Sequence, residues 1–239
     1  MPKRFSLFVL LLIVGLVSAC VFGIGYQKKD GSYVYATFNE NDGYVEHPIA
    51  DADAATFQIL GRYGYAKDAL HVYYHENTIQ GADSDSFIAM TESYGKDNTR
   101  VYYKESIIPG ASPSSFTLLD TSWGKDSQDV YFRDIPIKAC DPASFVLLGE
   151  YWEHDDQCVY SREHKVPGAD PSSFAVLSNE FSKDRNHAYY GGAGFFTPTI
   201  LEDADVATFK IFDGMCRICA EDKNGCYRMD ERVDCRSLQ

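Results

Sequence analysis

The stretch that decides the fold is Lys96-Asp97-Asn98-Thr99-Arg100-Val101-Tyr102-Tyr103. It places a Lys-Asp pair before three polar residues and a Val-Tyr-Tyr run, and the chain repeats this order. The other copies start at Lys67, Lys125, His154 and Lys183. Successive starts lie about 29 residues apart, and a fixed period of this size is typical of a repeat architecture.

Each unit predicts short strands and one turn, as residues 154–182 illustrate. Val159-Tyr160 begins a strand, Lys165-Val166 returns beside it, and a third extended segment begins at Phe174. Between them, Asp170-Pro171 predicts a capped helical turn, because the Asp oxygen accepts otherwise unpaired amides and Pro needs no donor there. A unit therefore has about three short strands plus a capped helical turn.

The fold class that follows is all-β. The 17 Tyr and 15 Phe favour strands, since aromatic rings pack well on a pleated surface. We expect the tandem units to stack as an elongated array. The alternative is a β-propeller-like closure, whose blades typically have four strands and are longer than these units. Near the start, Asn41-Asp42-Gly43 predicts a longer hairpin in the first unit.

The first residues predict export and a membrane tether. Lys3 and Arg4 precede an apolar run, which ends at Val17-Ser18-Ala19-Cys20. This order describes a signal peptide over residues 1–19. Its end resembles a bacterial lipobox, which makes Cys20 the lipidated residue. An uncleaved anchor is the alternative, because residues 5–25 suffice to cross a bilayer. Both alternatives predict a chain tethered in the bacterial cell envelope, facing the periplasm or the exterior.

The remaining boundaries follow from the repeats. Residues 20–28 are the tether, 29–220 form the repeat array, and 221–239 start a repeat that is truncated and rich in Cys. Six cysteines remain in an oxidising compartment, which favours disulfides. The candidates are Cys140, Cys158, Cys216, Cys219, Cys226 and Cys235. The first two could bridge neighbouring repeats, the pairing of the last four stays open, and zinc is the alternative at the C-x2-C pair.

Charge and motifs argue against several functions. The chain carries a net charge of −13, and removing residues 1–19 leaves −15, which repels nucleic acid. The sequence contains none of the common hydrolase, metalloprotease or phosphate-binding motifs, so we expect no catalytic residue, no cofactor and no enzyme. Aligned Asp residues could hold calcium, but turn initiation and capping explain each of them. We expect both Tyr rows to pack, with their hydroxyls at the surface.

The signature resembles the bacterial DKNYY repeat family. The closest copies are residues 96–103 and 183–190, and Glu221-Asp222-Lys223-Asn224 keeps the D-K-N letters. The resemblance covers residues 28–228 and implies no established activity. We expect a structural or interaction module that binds envelope protein or glycan. The alternative is a small-ligand or metal-binding protein that uses the Cys-rich end. Because a motif copied in every unit is structural, we expect function at Cys20, residues 191–198 or the tail.

Overall fold

The computed structural model describes residues 23–62, 64–149, 151–191, 197–213, 216 and 218–238. The chain divides into two compact units, residues 1–97 and 98–239. The predicted signal peptide and Cys20 lie outside the described residues. Within the described ranges, no helix is both long and apolar enough to span a membrane.

The first unit begins with the longest strands. They form an antiparallel sheet in the order β1 (Gly25–Lys29), β2 (Ser32–Asn39) and β3 (Gly43–Pro48). The turn before Gly43 joins β2 to β3, which confirms the longer hairpin predicted there. A four-stranded sheet follows, in the order β4 (Gln58–Ile59), β5 (Tyr65–Lys67), β6 (Val72–Tyr74) and β7 (Asn77–Thr78). The unit ends with the antiparallel pair β8 (Ile88–Ala89) and β9 (Tyr94–Lys96).

The second unit begins with the pair β10 (Val101–Tyr103) and β11 (Ser106–Ile107). Four antiparallel sheets of four strands follow, each in sequence order. The first two comprise β12 (Thr117–Leu118), β13 (Trp123–Lys125), β14 (Val130–Phe132) and β15 (Ile135–Pro136), then β16 (Val146–Leu147), β17 (Glu153–His154), β18 (Val159–Ser161) and β19 (His164–Lys165). The last two comprise β20 (Ala175–Val176), β21 (Phe181–Lys183), β22 (Ala188–Tyr190) and β23 (Thr199–Ile200), then β24 (Lys210–Ile211), β25 (Cys219–Asp222), β26 (Gly225–Arg228) and β27 (Glu231–Val233). Two short 3-10 helices complete the unit, at Pro171–Ser173 and Cys235–Leu238.

The structure confirms an all-β fold of repeated units and corrects the strand count. Each complete repeat has four strands rather than about three. The additional strand is the one that ends at the signature Lys, such as β13, Trp123–Lys125. It is only three residues long and has a Gly at its centre, so it shows no alternating pattern. The signature Lys therefore ends a strand, and the Asp after it starts the turn.

The last sheet also differs from the expectation for residues 221–239. Its first strand, β24, precedes these residues, and β25 begins before them. Together with β26 and β27, they complete a sheet of four strands. The tail therefore completes a repeat that starts upstream.

The capped turn is found where the sequence placed it. Asp170 is the N-cap of the 3-10 helix Pro171–Ser173 and accepts a hydrogen bond from the Ser172 amide. Its second carboxylate oxygen accepts from the Ser173 hydroxyl at 2.5 Å. Asp141 caps the corresponding turn of the preceding repeat in the same way, accepting from the Ala143 amide and the Ser144 hydroxyl.

Aromatic packing explains the small residue at the centre of the second strand. In the β12–β15 repeat, the Phe116 ring contacts the Tyr131 ring at a centroid distance of 5.9 Å. A Cβ atom added to Gly124 would lie 2.2 Å from Phe116 Cζ. Glycine is therefore the residue that lets the tip of the Phe116 ring approach this strand closely.

Candidate functional site

The signature Asp is a buried acceptor that closes two loops. Asp126 accepts hydrogen bonds from the Gln128 and Asp129 amides, at 2.7 and 2.9 Å. It also accepts from the Ser112 amide at 2.7 Å and from the Tyr131 hydroxyl at 3.0 Å. The same set of contacts recurs at Asp68, Asp155, Asp184 and Asp222. We call this signature Asp, with its four hydrogen bonds, the bracket. It links the loop that follows the Asp to the turn at the start of the same repeat.

These contacts keep the carboxylates ionised. Burial by itself would raise the pKa of Asp68, but hydrogen bonds from the Tyr73 hydroxyl and three amides outweigh it and lower the pKa to about 2. The same balance lowers the pKa of Asp126. The explanation of the aspartates by turn formation is confirmed. Among the described residues, there is no group of three or more His, Cys, Asp or Glu side chains that could hold a metal ion.

The expectation that the Tyr hydroxyls lie at the surface is wrong for the first Tyr of the signature. The Tyr73 hydroxyl is buried and donates to Asp68 at 2.6 Å, and the Tyr160 hydroxyl donates to Asp155 at 2.7 Å. A buried carboxylate needs donors, and the tyrosine five residues along the chain supplies one. The sequence showed the fixed spacing of the two residues, but not their contact.

The signature Lys joins each repeat to the next turn. Lys125 donates through Nζ to the carbonyl oxygens of Pro142 and Ala143, both at 3.1 Å. Lys67 donates in the same way to the carbonyl oxygens of Ser84 and Phe87. Lys183 donates to those of Val206 and Phe209. His154 replaces this lysine in the β16–β19 repeat, and its Nδ1 lies 3.1 Å from the Asp155 carbonyl oxygen instead. Every chemically distinctive residue of the signature therefore has a structural role.

All six candidate cysteines form disulfides. Cys140 pairs with Cys158 at a Cα separation of 6.0 Å, and this bond joins neighbouring repeats. Cys216 pairs with Cys219, and Cys226 with Cys235. A cysteine binds a metal as a thiolate. All four sulfurs of the tail are in disulfides, so none of them is a thiolate. No observation therefore favours the Cys-rich end as a metal or ligand site, and residues 192–196 of the glycine-rich insertion lie outside the described residues.

One repeat departs from the pattern at a buried position. Glu153, in β17, stands where the other repeats have a small residue; the equivalents are Ala66, Gly95, Gly124, Ser182 and Ala220. The side chain is fully buried, and Oε2 accepts from the Arg162 amide at 2.8 Å. In the preceding repeat, the equivalent amide, of Arg133, donates to the Ser122 carbonyl oxygen. The side-chain oxygen of Glu153 thus takes the place of a backbone acceptor.

Glu153 has an unusual protonation equilibrium. Burial raises its pKa to about 8, against the opposing effects of the Arg162 amide and charge. Its other oxygen, Oε1, is buried and has no hydrogen-bond partner among the described residues. The group is therefore mostly protonated at neutral pH.

Arg162, whose amide binds Glu153, lines a cleft of about 380 Å³ that the sequence did not reveal. Its lining includes Trp123, Phe132, Arg133, Tyr151 and Arg162. The guanidinium carbons of Arg133 and Arg162 lie 5.0 and 5.5 Å from the centroid of the Phe132 ring. Arg162 also lies 4.6 Å from the Tyr151 centroid. These are cation–π distances, so aromatic rings position both arginines.

The arginines occupy a strained turn position. Arg133 and Arg162 follow the signature strand with φ angles of 58° and 51°, a left-handed conformation that costs roughly 1 kcal/mol or more for such residues. His75 and Lys104 occupy the equivalent turns with positive φ, whereas Gly191 does so in a later repeat. Met229 holds the same position in the last repeat with a φ angle of 59°, so the turn accepts different side chains, and four repeats place Arg, Lys or His there. A basic residue directly after the signature was the sequence signal that could have located this site.

The fold is that of an all-β tandem-repeat protein, and the signature residues form the scaffold of each repeat. The family model of the DKNYY family matches residues 8–106 and 94–231. The chain therefore belongs to the DKNYY family, as the resemblance implied. No curated protein and no solved structure matches the chain.

Proposed function

We propose that this chain is a membrane-tethered interaction module of the bacterial cell envelope, and that it binds an envelope glycan or protein at the arginine cleft. The observation that carries the proposal is the pair of arginines, Arg133 and Arg162, held against one aromatic ring. The signature residues are occupied by internal hydrogen bonds, so binding falls to side chains that differ between repeats.

Charge supports a selective site rather than general adhesion. The exported part carries −15, which opposes contact with nucleic acid and anionic surfaces. Two cationic groups in one cleft make a local exception, to which a partner with a complementary group is attracted. The proposal assigns no catalytic residue and no cofactor.

Binding is tested with the full-length chain in nonionic detergent, immobilised and exposed to glycan and protein fractions of the envelope. We expect one component to be retained by the wild type and lost by the double variant Arg133→Gln/Arg162→Gln. The proposal fails if the wild type retains nothing from either fraction and if deletion of the gene leaves the envelope unchanged.

The tether is tested separately by labelling cells with radioactive palmitate. We expect label on the wild-type chain and none on the Cys20→Ser variant. Absence of label from both, with the chain in the membrane fraction, would favour the uncleaved anchor. Recovery of the unlabelled wild type in the soluble fraction would contradict a tether of either kind.

A further inference from the structure

We propose that the Cys140–Cys158 bond is a redox-active disulfide, which accepts two electrons from a dithiol and thereby converts that dithiol into a disulfide. This activity, thiol–disulfide exchange, goes beyond the binding function proposed above and does not depend on it. Three features of the bond support it: the unequal burial of its two cysteines, a lysine at one of its sulfurs, and a loop that is held by other contacts.

The two cysteines differ in their exposure. Cys140 is half-buried and precedes β16, whereas Cys158 is only 7% exposed. The Cys158 side chain belongs to a core cluster that also contains Trp123 and Phe145. An external thiolate therefore attacks the Cys140 sulfur, and the buried Cys158 is the sulfur that leaves and later closes the bond again. Exposed disulfides are the ones that exchange most readily.

A lysine lies against the more exposed sulfur. Lys165, in β19, donates from Nζ to Cys140 Sγ at 3.0 Å, at the protein surface. When the bond is open, an ammonium group at this distance favours the thiolate form of Cys140, which is the reactive form. The Cys226–Cys235 bond provides the contrast, because no basic side chain of the described residues donates to either of its sulfurs. The lysine thus distinguishes one bond from the other.

The loop that carries Cys140 is held by contacts other than the disulfide. The Cys140 amide donates to the Tyr160 hydroxyl at 2.7 Å, and the next amide, of Asp141, donates to Asp155 Oδ2 at 2.9 Å. Asp129, the acid beside this segment, accepts hydrogen bonds from the two amides that precede Cys140. These bonds keep the segment in place after reduction, so the disulfide can form again.

The exchange proceeds in two steps. A thiolate of the dithiol attacks Cys140 Sγ, the bond between the two sulfurs breaks, and the Cys158 sulfur leaves with the electron pair and takes up a proton. The second thiolate of the dithiol then attacks its own sulfur in the mixed disulfide, and Cys140 leaves as a thiolate beside Lys165. The dithiol loses two electrons and two protons. The disulfide of the protein gains both electrons and one proton, and the other proton enters the solvent.

The test uses the full-length chain in nonionic detergent with two probes, dithiothreitol and reduced glutathione. Alkylation of free thiols followed by mass spectrometry shows which bond has opened. We expect Cys140–Cys158 to open at a dithiothreitol concentration at least roughly tenfold lower than Cys226–Cys235 requires. Glutathione, which has one thiol, should leave a mixed disulfide on Cys140, because it cannot complete the second step.

A second measurement examines the lysine. Cys158→Ala leaves Cys140 as a free thiol, and its absorbance at 240 nm, relative to the Cys140→Ala/Cys158→Ala variant, follows the thiolate as the pH changes. Adding Lys165→Gln should lower the thiolate fraction at pH 7 by roughly threefold or more, because a neighbouring positive charge is lost. Lys210→Gln removes a lysine that contacts Glu221 instead, and it should leave the fraction unchanged.

The wild-type exchange assay decides the inference even if the cysteine variants do not fold. If Cys140–Cys158 opens only at concentrations that also open Cys226–Cys235, or only when the near-ultraviolet circular dichroism of the chain is lost, the bond is structural and the inference is overturned. A glutathione adduct on Cys158 instead of Cys140 would overturn the order of attack. An equal thiolate fraction with and without Lys165 would overturn the role of the lysine.

Discussion

Two neighbouring repeats, β12–β15 and β16–β19, have the same backbone plan and different surfaces. Asp126 and Asp155 each accept bonds from the amides two and three residues along the chain. The repeats differ beside this bracket, where Glu153 stands in place of Gly124 and Ser161 in place of Phe132. The Asp contacts are thus the same in both repeats, whereas the buried residues beside them differ.

The change from Phe132 to Ser161 explains how the cleft arises. Arg133 stacks on the aromatic ring of the residue before it, Phe132. Arg162 follows a serine and has no such ring, and it lies instead over Phe132 of the preceding repeat and over Tyr151. The loss of one aromatic residue thus brings two arginines to the same ring.

The largest effect on stability is expected at the signature Asp, which both repeats share. Asp126→Ala and Asp155→Ala should each lower the free energy of unfolding by about 3–5 kcal/mol, because four donors lose a buried charged acceptor. Urea denaturation followed by tyrosine and tryptophan fluorescence measures this. The matched control is Asp156→Ala, an exposed position in the same repeat, which should change stability by less than about 0.5 kcal/mol. Similar losses in all three variants would show that the bracket is not special.

The second prediction concerns the pH dependence of stability that Glu153 gives to the β16–β19 repeat. The pKa of Glu153 is raised from 4.5 to about 8 when the chain is folded. Between these values the folded chain keeps a proton that the unfolded chain loses. The stability gained is therefore complete below about pH 4.5 and is lost as the pH rises to about 8, by up to about 5 kcal/mol. Glu153→Gln should remove this slope.

Urea denaturation of the wild type and of Glu153→Gln at several pH values between those limits tests the sign. The difference between the two proteins isolates Glu153 from other titrating groups. Parallel stability curves would mean that the carboxyl ionises normally in the folded chain. A slope of the opposite sign would mean that the ionised form is the one that the repeat stabilises.

The third prediction concerns the bond that joins the two repeats. Cys140 and Cys158 are separated by 18 residues, and opening a loop of that length should cost about 3 kcal/mol. The double variant Cys140→Ala/Cys158→Ala measures it by urea denaturation. The control is Cys216→Ala/Cys219→Ala, whose separation is only 3 residues, and which should cost about 2 kcal/mol. A larger loss in the control would show that loop length does not govern these bonds.

Much of the scaffold could be predicted from the sequence because it is repeated. The period, the capped turn at Asp170 and the hairpin before Gly43 all follow from local chemistry. Cys140 and Cys158 were expected as possible partners because they are the two cysteines that remain outside the tail and the predicted leader, and they do pair. Each of these features depends on a few neighbouring residues or on the number of cysteines.

The rest depended on contacts that no spacing reveals. The short strand Trp123–Lys125 has no alternation to detect, and the bond between Asp126 and the Ser112 amide joins residues from different turns. The cleft was missed for another reason. Function was predicted at residues unique to the chain, whereas Arg133 and Arg162 hold a position that carries Arg, Lys or His in four repeats. What differs is their packing, which depends on Ser161.

The smallest effect distinguishes the tyrosines of the two repeats. The Tyr131 hydroxyl donates to Asp126. The Tyr160 hydroxyl donates to Asp155 and also accepts from the Cys140 amide at 2.7 Å. With about 1 kcal/mol for each hydrogen bond, Tyr131→Phe should cost about 1 kcal/mol and Tyr160→Phe about 2 kcal/mol. Urea denaturation of both variants measures the two losses in the free energy of unfolding. Equal losses would mean that Tyr160 does not hold the disulfide-bearing loop.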